Sequence, residues 1–292
     1  MDDNETIRAF NRTVTRRLGV LHEKYLGRDR PLVESRLLFE IGANGASVRE
    51  LRARLGLDSG FSSRLLRALE RKKLVRTKPA GSDGRVRIAR LTRSGRAELG
   101  RLNALSDDLA RSMLTPLSQN QARRLVQAMA EVERLLRASS AEFGLANPRS
   151  EDARRCFECY FEELAARFPG GFELHATDAP AAEEFEAPAG CLVIARVFGE
   201  AVGCGALRTL ATRVGEIKRM WISPRVRALG IGRRLLDSLE QVARERRLRI
   251  VRLDTNASLA EALSLYRSSG YREIRRYNDN PYAQHWFEKT LS

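Results

Sequence analysis

Residues 216–236, EIKRMWISPRVRALGIGRRLL, constrain the fold more than any other stretch of this 292-residue chain. The alternating run EIKRMWI predicts a β-strand, which Ser223-Pro224 ends. RVRALGIG then turns the chain, and RRLLDSLEQVARERR predicts an amphipathic helix with Leu235, Leu236, Leu239 and Val242 on one side. Strand, glycine loop and helix in this order leave backbone N–H groups and the positive end of a helix free for phosphate oxygens. Two common phosphate loops are excluded. GIGRRL lacks the third glycine of the dinucleotide fingerprint, and no Gly-Lys-Ser/Thr of a triphosphate loop occurs.

The flanking segments extend this into an α/β unit. Upstream, CLVIARVFGEAVGCGALRTL reads as two apolar runs around Gly199-Glu200, a hairpin signal. ARRCFECYFEELAARF predicts a helix with Cys156, Tyr160 and Leu164 on one face, and PGGFELHATDAPAAEEFEAPAG reads as a loop. Downstream, VRLDTNASLAEALSLYRSSGYREI predicts a strand ending at Asn256. A helix bearing Tyr266 follows, opened by a Ser258/Glu261 capping box, and then another strand after Gly270-Tyr271.

The first half is mainly helical. Ile7, Phe10, Val14, Leu18, Leu21 and Tyr25 recur at spacings of three or four, predicting one long helix over the first 26 residues. PLVESRLLFEIG predicts a shorter helix. SVRELRARLGL opens on a Ser47/Glu50 capping box and stops at Gly56. DSGFSSRLLRALERKKL then carries an apolar stripe, with Ser63, Arg64, Arg67 and Arg71 on its other faces. VRTKPAGSDGRVRIARLT predicts a β-hairpin with a basic tip, and helices follow over residues 93–113 and from a Ser118/Gln121 box through Leu136. Helix, turn, basic helix and basic hairpin form the layout of a winged helix-turn-helix, which reads the major groove and reaches a minor groove. Asn147-Pro148 marks the expected domain boundary, giving domains 1–146 and 147–292.

Charge supports two anionic partners. Residues 51–100 hold 14 Lys and Arg against 4 Asp and Glu, and residues 201–250 hold 12 against 4. The block between them at 151–200 holds 4 against 11. The start, MDDNETIRAF, lacks a signal-peptide pattern, and the most apolar run is interrupted by Arg196 and Glu200. A cytoplasmic protein with no membrane partner is expected. No metal site is expected either. Cys156 and Cys159 have no second pair, and His22, His175 and His285 are scattered.

Two resemblances sharpen this reading. SVRELRARLGL, DSGFSSRLLRALERKKLV and the wing SDGRVRIARLTRSG resemble the MarR family of bacterial regulators over residues 5–140. That resemblance implies a homodimer joined by its first and last helices on double-stranded DNA. Ser63, Arg64, Arg67, Arg85 and Arg87 would make the contacts, and Arg85 of the Asp83-x-Arg85 wing would enter the minor groove.

Arg227-x-x-Gly230-x-Gly232 and the LYxxxGY segment resemble the GNAT N-acetyltransferases over residues 150–291. The implied fold is an α/β (α+β) acyltransferase with a mixed, mostly antiparallel sheet, following a mostly α winged helix-turn-helix. The implied cofactor is acetyl-CoA, held by Met220, Trp221, Ile222, Arg227, Ala228, Leu229, Gly230, Ile231, Gly232, Arg233 and Asn256. Glu216, eleven residues before Arg227, would be the general base and Tyr266 the acid for the departing thiolate. A backbone N–H near Met220 would stabilise the developing oxyanion. Asn278, Asp279, Asn280, Tyr282 and His285 lie in the tail expected to line the acceptor side, which suggests a small polar amine. The expected protein is a bifunctional regulator and N-acetyltransferase. The alternative is a regulator whose second domain only senses acyl-CoA.

Overall fold

The computed structural model describes residues 2–20, 24–80, 86–168, 171–172 and 182–291. The chain divides into two compact units, Met1–Glu131 and Val132–Ser292.

The first unit runs α1 (Asp3–Arg17), α2 (Leu32–Ile41), β1 (Ala46–Ser47), α3 (Val48–Leu55), α4 (Ser59–Arg71), β2 (Val75–Pro79), β3 (Arg87–Leu91) and α5 (Arg93–Leu114). The division falls inside the next helix, α6 (Gln119–Ser139). Both caps of the helix-turn-helix form. Ser47 Oγ accepts from the Glu50 N–H while the Glu50 carboxylate accepts from the Ser47 N–H, and Asp58 Oδ1 accepts from the Phe61 N–H at 2.8 Å. Leu38, Leu69 and Leu102 are fully buried with Leu37, Ile41, Leu51 and Leu91, each large side chain contributing about 2 kcal/mol by leaving water. The strands pair in the antiparallel order β1-β3-β2, and the wing's strands align Val75 with Leu91. The wing tip, with Asp83 and Arg85, lies outside the described residues. The helix predicted through residue 26 ends at Arg17. None of the residues of α1 is buried, and a short helix without packing is marginal in water.

The second unit is one seven-stranded sheet in the order β4-β5-β6-β7-β8-β10-β9. Its strands are β4 (Ala141–Ala146), β5 (Gly190–Val197), β6 (Glu200–Ala211), β7 (Val214–Ile222), β8 (Ile250–Thr255), β9 (Arg272–Ile274) and β10 (His285–Thr290). Its helices are α7 (Glu151–Arg167), α8 (Ile231–Glu245) and α9 (Ala260–Ser268). All neighbours are antiparallel except β7 and β8. Alternation along β5 sends Leu192 and Ile194 to the face covered by Cys156 and Phe157 of α7. Cys191 and Val193 go to the opposite face, under Leu235, Leu236 and Leu239 of α8. The β5–β6 hairpin turns on Phe198 and Gly199, both left-handed at φ 49° and 76°.

Two expectations are corrected here. Residues 141–146, expected in the first domain, instead form edge strand β4, whose Ala141 lies opposite Val197. Arg234 secures this strand by donating to the carbonyls of Ala138 and Ala141, both at 2.8 Å. The Ser258/Glu261 capping box does not form. The Ser258 hydroxyl has no partner, and the Glu261 carboxylate instead accepts from Arg167 at 2.7 Å. Among the described residues no helix is long and apolar enough to cross a membrane.

Candidate active site

The site exists because two parallel strands part company. β7 and β8 pair only from Val214–Glu216 to Ile250–Arg252, yet β7 continues to Ile222 and β8 to Thr255. Against β6, the register of β7 slips between Lys218 and Trp221, and Arg219 takes a left-handed φ of 55°. Gly205, between the two slipped pairs on β6, leaves room for Leu239 and Met220. A Cβ there would stand 2.7 Å from Leu239 Cδ1 and 3.2 Å from Met220 Cγ.

Two cavities flank the bulge. A larger one of about 780 Å³ is lined by Trp221, Ile222, Arg227, Ala228, Gly230, Gly232 and Arg233, facing α9 and the Glu163–Arg167 end of α7. A smaller one of about 410 Å³ holds Arg208, Lys218, Asp254, Asn278, Asn280 and an aromatic wall of Phe168, Phe172 and Tyr282. Tyr160, Leu164, Met220, Leu259, Ala262 and Tyr266 line both. The two spaces therefore join along this shared wall, which includes Met220 and Tyr266.

The larger cavity has the features of an anion seat. Gly230 caps α8 at φ 75° with no side-chain hydrogen bond, leaving the first-turn N–H groups to the cavity. Leu229 packs against the core and Ile231 is buried, and neither is among the residues lining the cavity. Arg227 donates through Nε to the Ile222 carbonyl at 2.9 Å and through a second nitrogen to Glu163. Glu163 also accepts from Trp221 Nε1 at 2.9 Å and from Arg167 at 3.1 Å. Burial alone would raise its pKa, but the Arg227 and Arg167 guanidinium groups hold the carboxyl below its usual range. Arg233 is drawn to Ser268 at the end of α9, and Arg234 to β4.

Tyr266 sits at the junction, 6% exposed. Burial, and then the charge of Asp254, push its hydroxyl above the ordinary phenol range, so it keeps its proton at neutral pH. Burial raises Tyr160 in the same way.

Several expected site residues fall elsewhere. Glu216 is 0% exposed and lines neither cavity. Its carboxylate accepts from Arg208 Nε at 2.6 Å, the Tyr277 hydroxyl at 2.9 Å and Asn278 Nδ2 at 3.1 Å, with Lys218 Nζ at 3.6 Å. A carboxylate so enclosed cannot touch an incoming amine, which corrects its reading as general base. Asn256 lines the smaller cavity rather than the larger one, its amide tied to the Tyr282 carbonyl and the Ser258 N–H. His285 pairs with Thr255 across the sheet, binds Glu273 at 2.6 Å and lines neither cavity. Asn278 and Tyr282 do line the smaller one. Sequence reasoning missed Asp254, Lys218, Arg208, Tyr160 and Glu163. Period-two alternation places Lys218 on the face of Glu216, a signal that was available.

In the first unit, Arg64 and Arg67 project from α4 and Arg87 from β3, all exposed. Ser63 is half-buried, its hydroxyl donating to the Ser59 carbonyl at 2.8 Å.

Residues 157–271 match the acetyltransferase (GNAT) family, and residues 28–86 match the MarR family. Over 83 residues the chain is 40% identical to the IAA acetyltransferase of Azospirillum brasilense, covering 28% of this chain and 54% of that protein. Over 55 residues it is 42% identical to the amino-acid acetyltransferase of Mycobacterium tuberculosis, covering 19% and 32%. The chain thus spans about half the length, or less, of these curated relatives. A solved GNAT-family acetyltransferase from Staphylococcus aureus aligns over 52% of this chain and 99% of its own, at 22% identity and a TM-score of 0.45.

Proposed function

We propose that this chain, a MarR-family region joined to a GNAT acetyltransferase domain, binds duplex DNA with the first and transfers an acetyl group from acetyl-CoA to an amine with the second. The observation that carries the catalytic half is the meeting of two cavities along a wall that includes Met220 and Tyr266, one with an uncapped helix N-terminus at its mouth. The N–H groups of Ile231, Gly232 and Arg233 would hold the pyrophosphate, with Arg227 beside them. Acetyl-CoA supplies the activated thioester. The bulged backbone at Met220 would donate to its developing oxyanion, and Tyr266 would give the departing sulfur a proton. Glu216 acts at one remove, fixing Arg208, Lys218 and Asn278. Thiol release from acetyl-CoA, measured across a panel of amines, tests this. If no amine is acetylated while acetyl-CoA shifts DNA affinity, the domain is a sensor.

The DNA half predicts a steep salt dependence. Each neutralised phosphate contributes about 0.9 to the log–log slope of affinity against salt. Arg64→Ala, Arg67→Ala and Arg87→Ala should each lower that slope by about 1, read by fluorescence anisotropy on duplex DNA. Slopes equal to wild type in all three would remove α4 and the wing from the interface.

A homodimer in the cytosol completes the reading. Ile7 (58% exposed) and Phe10 (44%) on α1, with Val126 (51%) and Met129 (48%) on α6, are large apolar side chains that this chain leaves in water. Phe10→Glu combined with Met129→Glu should give a monomer by light scattering, with DNA affinity at least about tenfold weaker because one half-site is lost. An unchanged mass would place the interface elsewhere.

A further inference from the structure

We propose that the smaller cavity is shaped for an α-amino acid with an aromatic side chain, its ammonium on Asp254 and its carboxylate on Lys218 and Arg208. This rests on the acetyl-transfer reading and names its acceptor.

Asp254 is the one acid aimed into this cavity from the sheet, its side chain 6% exposed. Its Oδ2 accepts from Lys218 Nζ at 3.1 Å and Asn278 Nδ2 at 2.6 Å, while Oδ1 accepts from Asn280 Nδ2 at 2.7 Å. A carboxylate offers about four acceptor sites, so Oδ1 retains one for a ligand N–H. The two asparagine amides fix the carboxylate's orientation, which is the form a recognition group takes when it must not swing.

The charges around it select the rest of the ligand. The charged residues lining the cavity are Arg208, Lys218 and Arg219 against Asp254 and Asp279, with the buried Glu216 behind Arg208 and Lys218. An ammonium hydrogen-bonded to Asp254 comes close to the Lys218 ammonium, which shares that same carboxylate. In a cavity walled by protein this repulsion is stronger than in water. A carboxylate on the ligand, next to its own ammonium, cancels it. Lys218 and Asp254 thus present a plus–minus pair complementary to the minus–plus pair of a zwitterion. Arg208 strengthens the anion end. Its Nε serves Glu216 and NH1 serves Glu184, which leaves donors among the five N–H groups of a guanidinium.

The opposite wall sets the side chain. Phe172 and Tyr282 lie with ring centroids 4.8 Å apart, and Phe168 lies 5.8 Å from Tyr282. Such a wall favours a flat apolar group by burial and ring contact. With the amine lying toward Met220 and Tyr266, the nitrogen lone pair forms the N–C bond as the C–S bond breaks. The first ammonium proton leaves through Asp254 to water before attack, the sulfur takes the Tyr266 proton as it departs, and the second nitrogen proton, released as the amide forms, returns the Tyr266 oxygen to its hydroxyl through water.

The test is calorimetry on the full chain with three probes: L-phenylalanine, 2-phenylethylamine and 3-phenylpropionate, with and without coenzyme A. L-Phenylalanine should bind at least tenfold more tightly than either fragment. Lys218→Met should erase its advantage over 2-phenylethylamine, and Asp254→Asn should weaken it tenfold while leaving coenzyme A affinity unchanged. Equal or tighter binding of 2-phenylethylamine to the wild type overturns the proposal, as does tightest binding of 3-phenylpropionate or an unaltered preference in Lys218→Met. Should Asp254→Asn fail to fold, the wild-type ranking and Lys218→Met still decide. Absence of coenzyme A binding and of thiol release sinks the acetyl-transfer reading, while the probe ranking judges the amino-acid site separately.

Discussion

Tyr266→Phe should lower kcat by about 100-fold or more, the scale of a lost general acid, with coenzyme A affinity nearly unchanged. The substitution removes one oxygen and keeps the ring in place against Tyr271 (5.9 Å) and Phe287 (6.1 Å), so the core survives. The hydroxyl stands where the two cavities join, and burial keeps it protonated above the ordinary phenol range. Any alkaline loss of activity caused by Tyr266 itself therefore begins above about pH 10. Tyr160 shares the junction and is the control. Tyr160→Phe should cost far less, because its ring belongs to the α7 wall next to Phe161 rather than to the α9 face opposite β7. The measurement is steady-state turnover with any accepted amine, alongside calorimetry of coenzyme A. Wild-type turnover in Tyr266→Phe, or a larger loss in Tyr160→Phe, would reassign the acid.

What the sequence disclosed and what it hid divide along a physical line. Features set by local chemistry were readable: the Ser47/Glu50 and Ser118/Gln121 boxes, the Gly199 turn, and the Gly230–Gly232 loop between strand and helix. Features set by partners distant in the chain were not. Glu216 reads as a strand-end acid and turns out to be enclosed by Arg208, Tyr277 and Asn278, the last two 61 and 62 residues away. Glu261 has the right spacing for a cap, but Arg167, 94 residues earlier, captures its carboxylate. β4 escaped notice because the helical period of α6 runs almost into it and its pairing with β5 crosses the whole of α7. Asp254 carried no motif. Its significance comes from Lys218 on the neighbouring strand and from two asparagines in the tail.

Gly232→Leu should separate fold from cofactor binding by moving stability and affinity in opposite directions. A Cβ at Gly232 meets Ile222 Cγ1 and Leu265 Cδ2, each at 3.7 Å, an ordinary contact, so the backbone accepts a side chain. Leucine also favours a helix over glycine by roughly 0.8 kcal/mol, and Gly232 lies in the first turn of α8. Thermal stability should hold or rise slightly. The leucine, however, occupies the mouth of the larger cavity, where the proposed acetyl-CoA pyrophosphate would come within hydrogen-bond distance of the α8 N–H groups. Losing two such charge-assisted bonds, each worth about 1.5–3 kcal/mol, lowers affinity by at least about 100-fold. Gly230→Ala makes the contrast. Nothing stands within 4 Å of a Cβ there, but the residue sits at φ 75°, so the cost falls on the fold, at roughly 1–2 kcal/mol, more than on binding. Coenzyme A calorimetry paired with thermal melts on both variants reads the two effects independently. A dissociation constant for Gly232→Leu within about threefold of wild type, a shift of less than 1 kcal/mol, would show that the pyrophosphate lies away from α8.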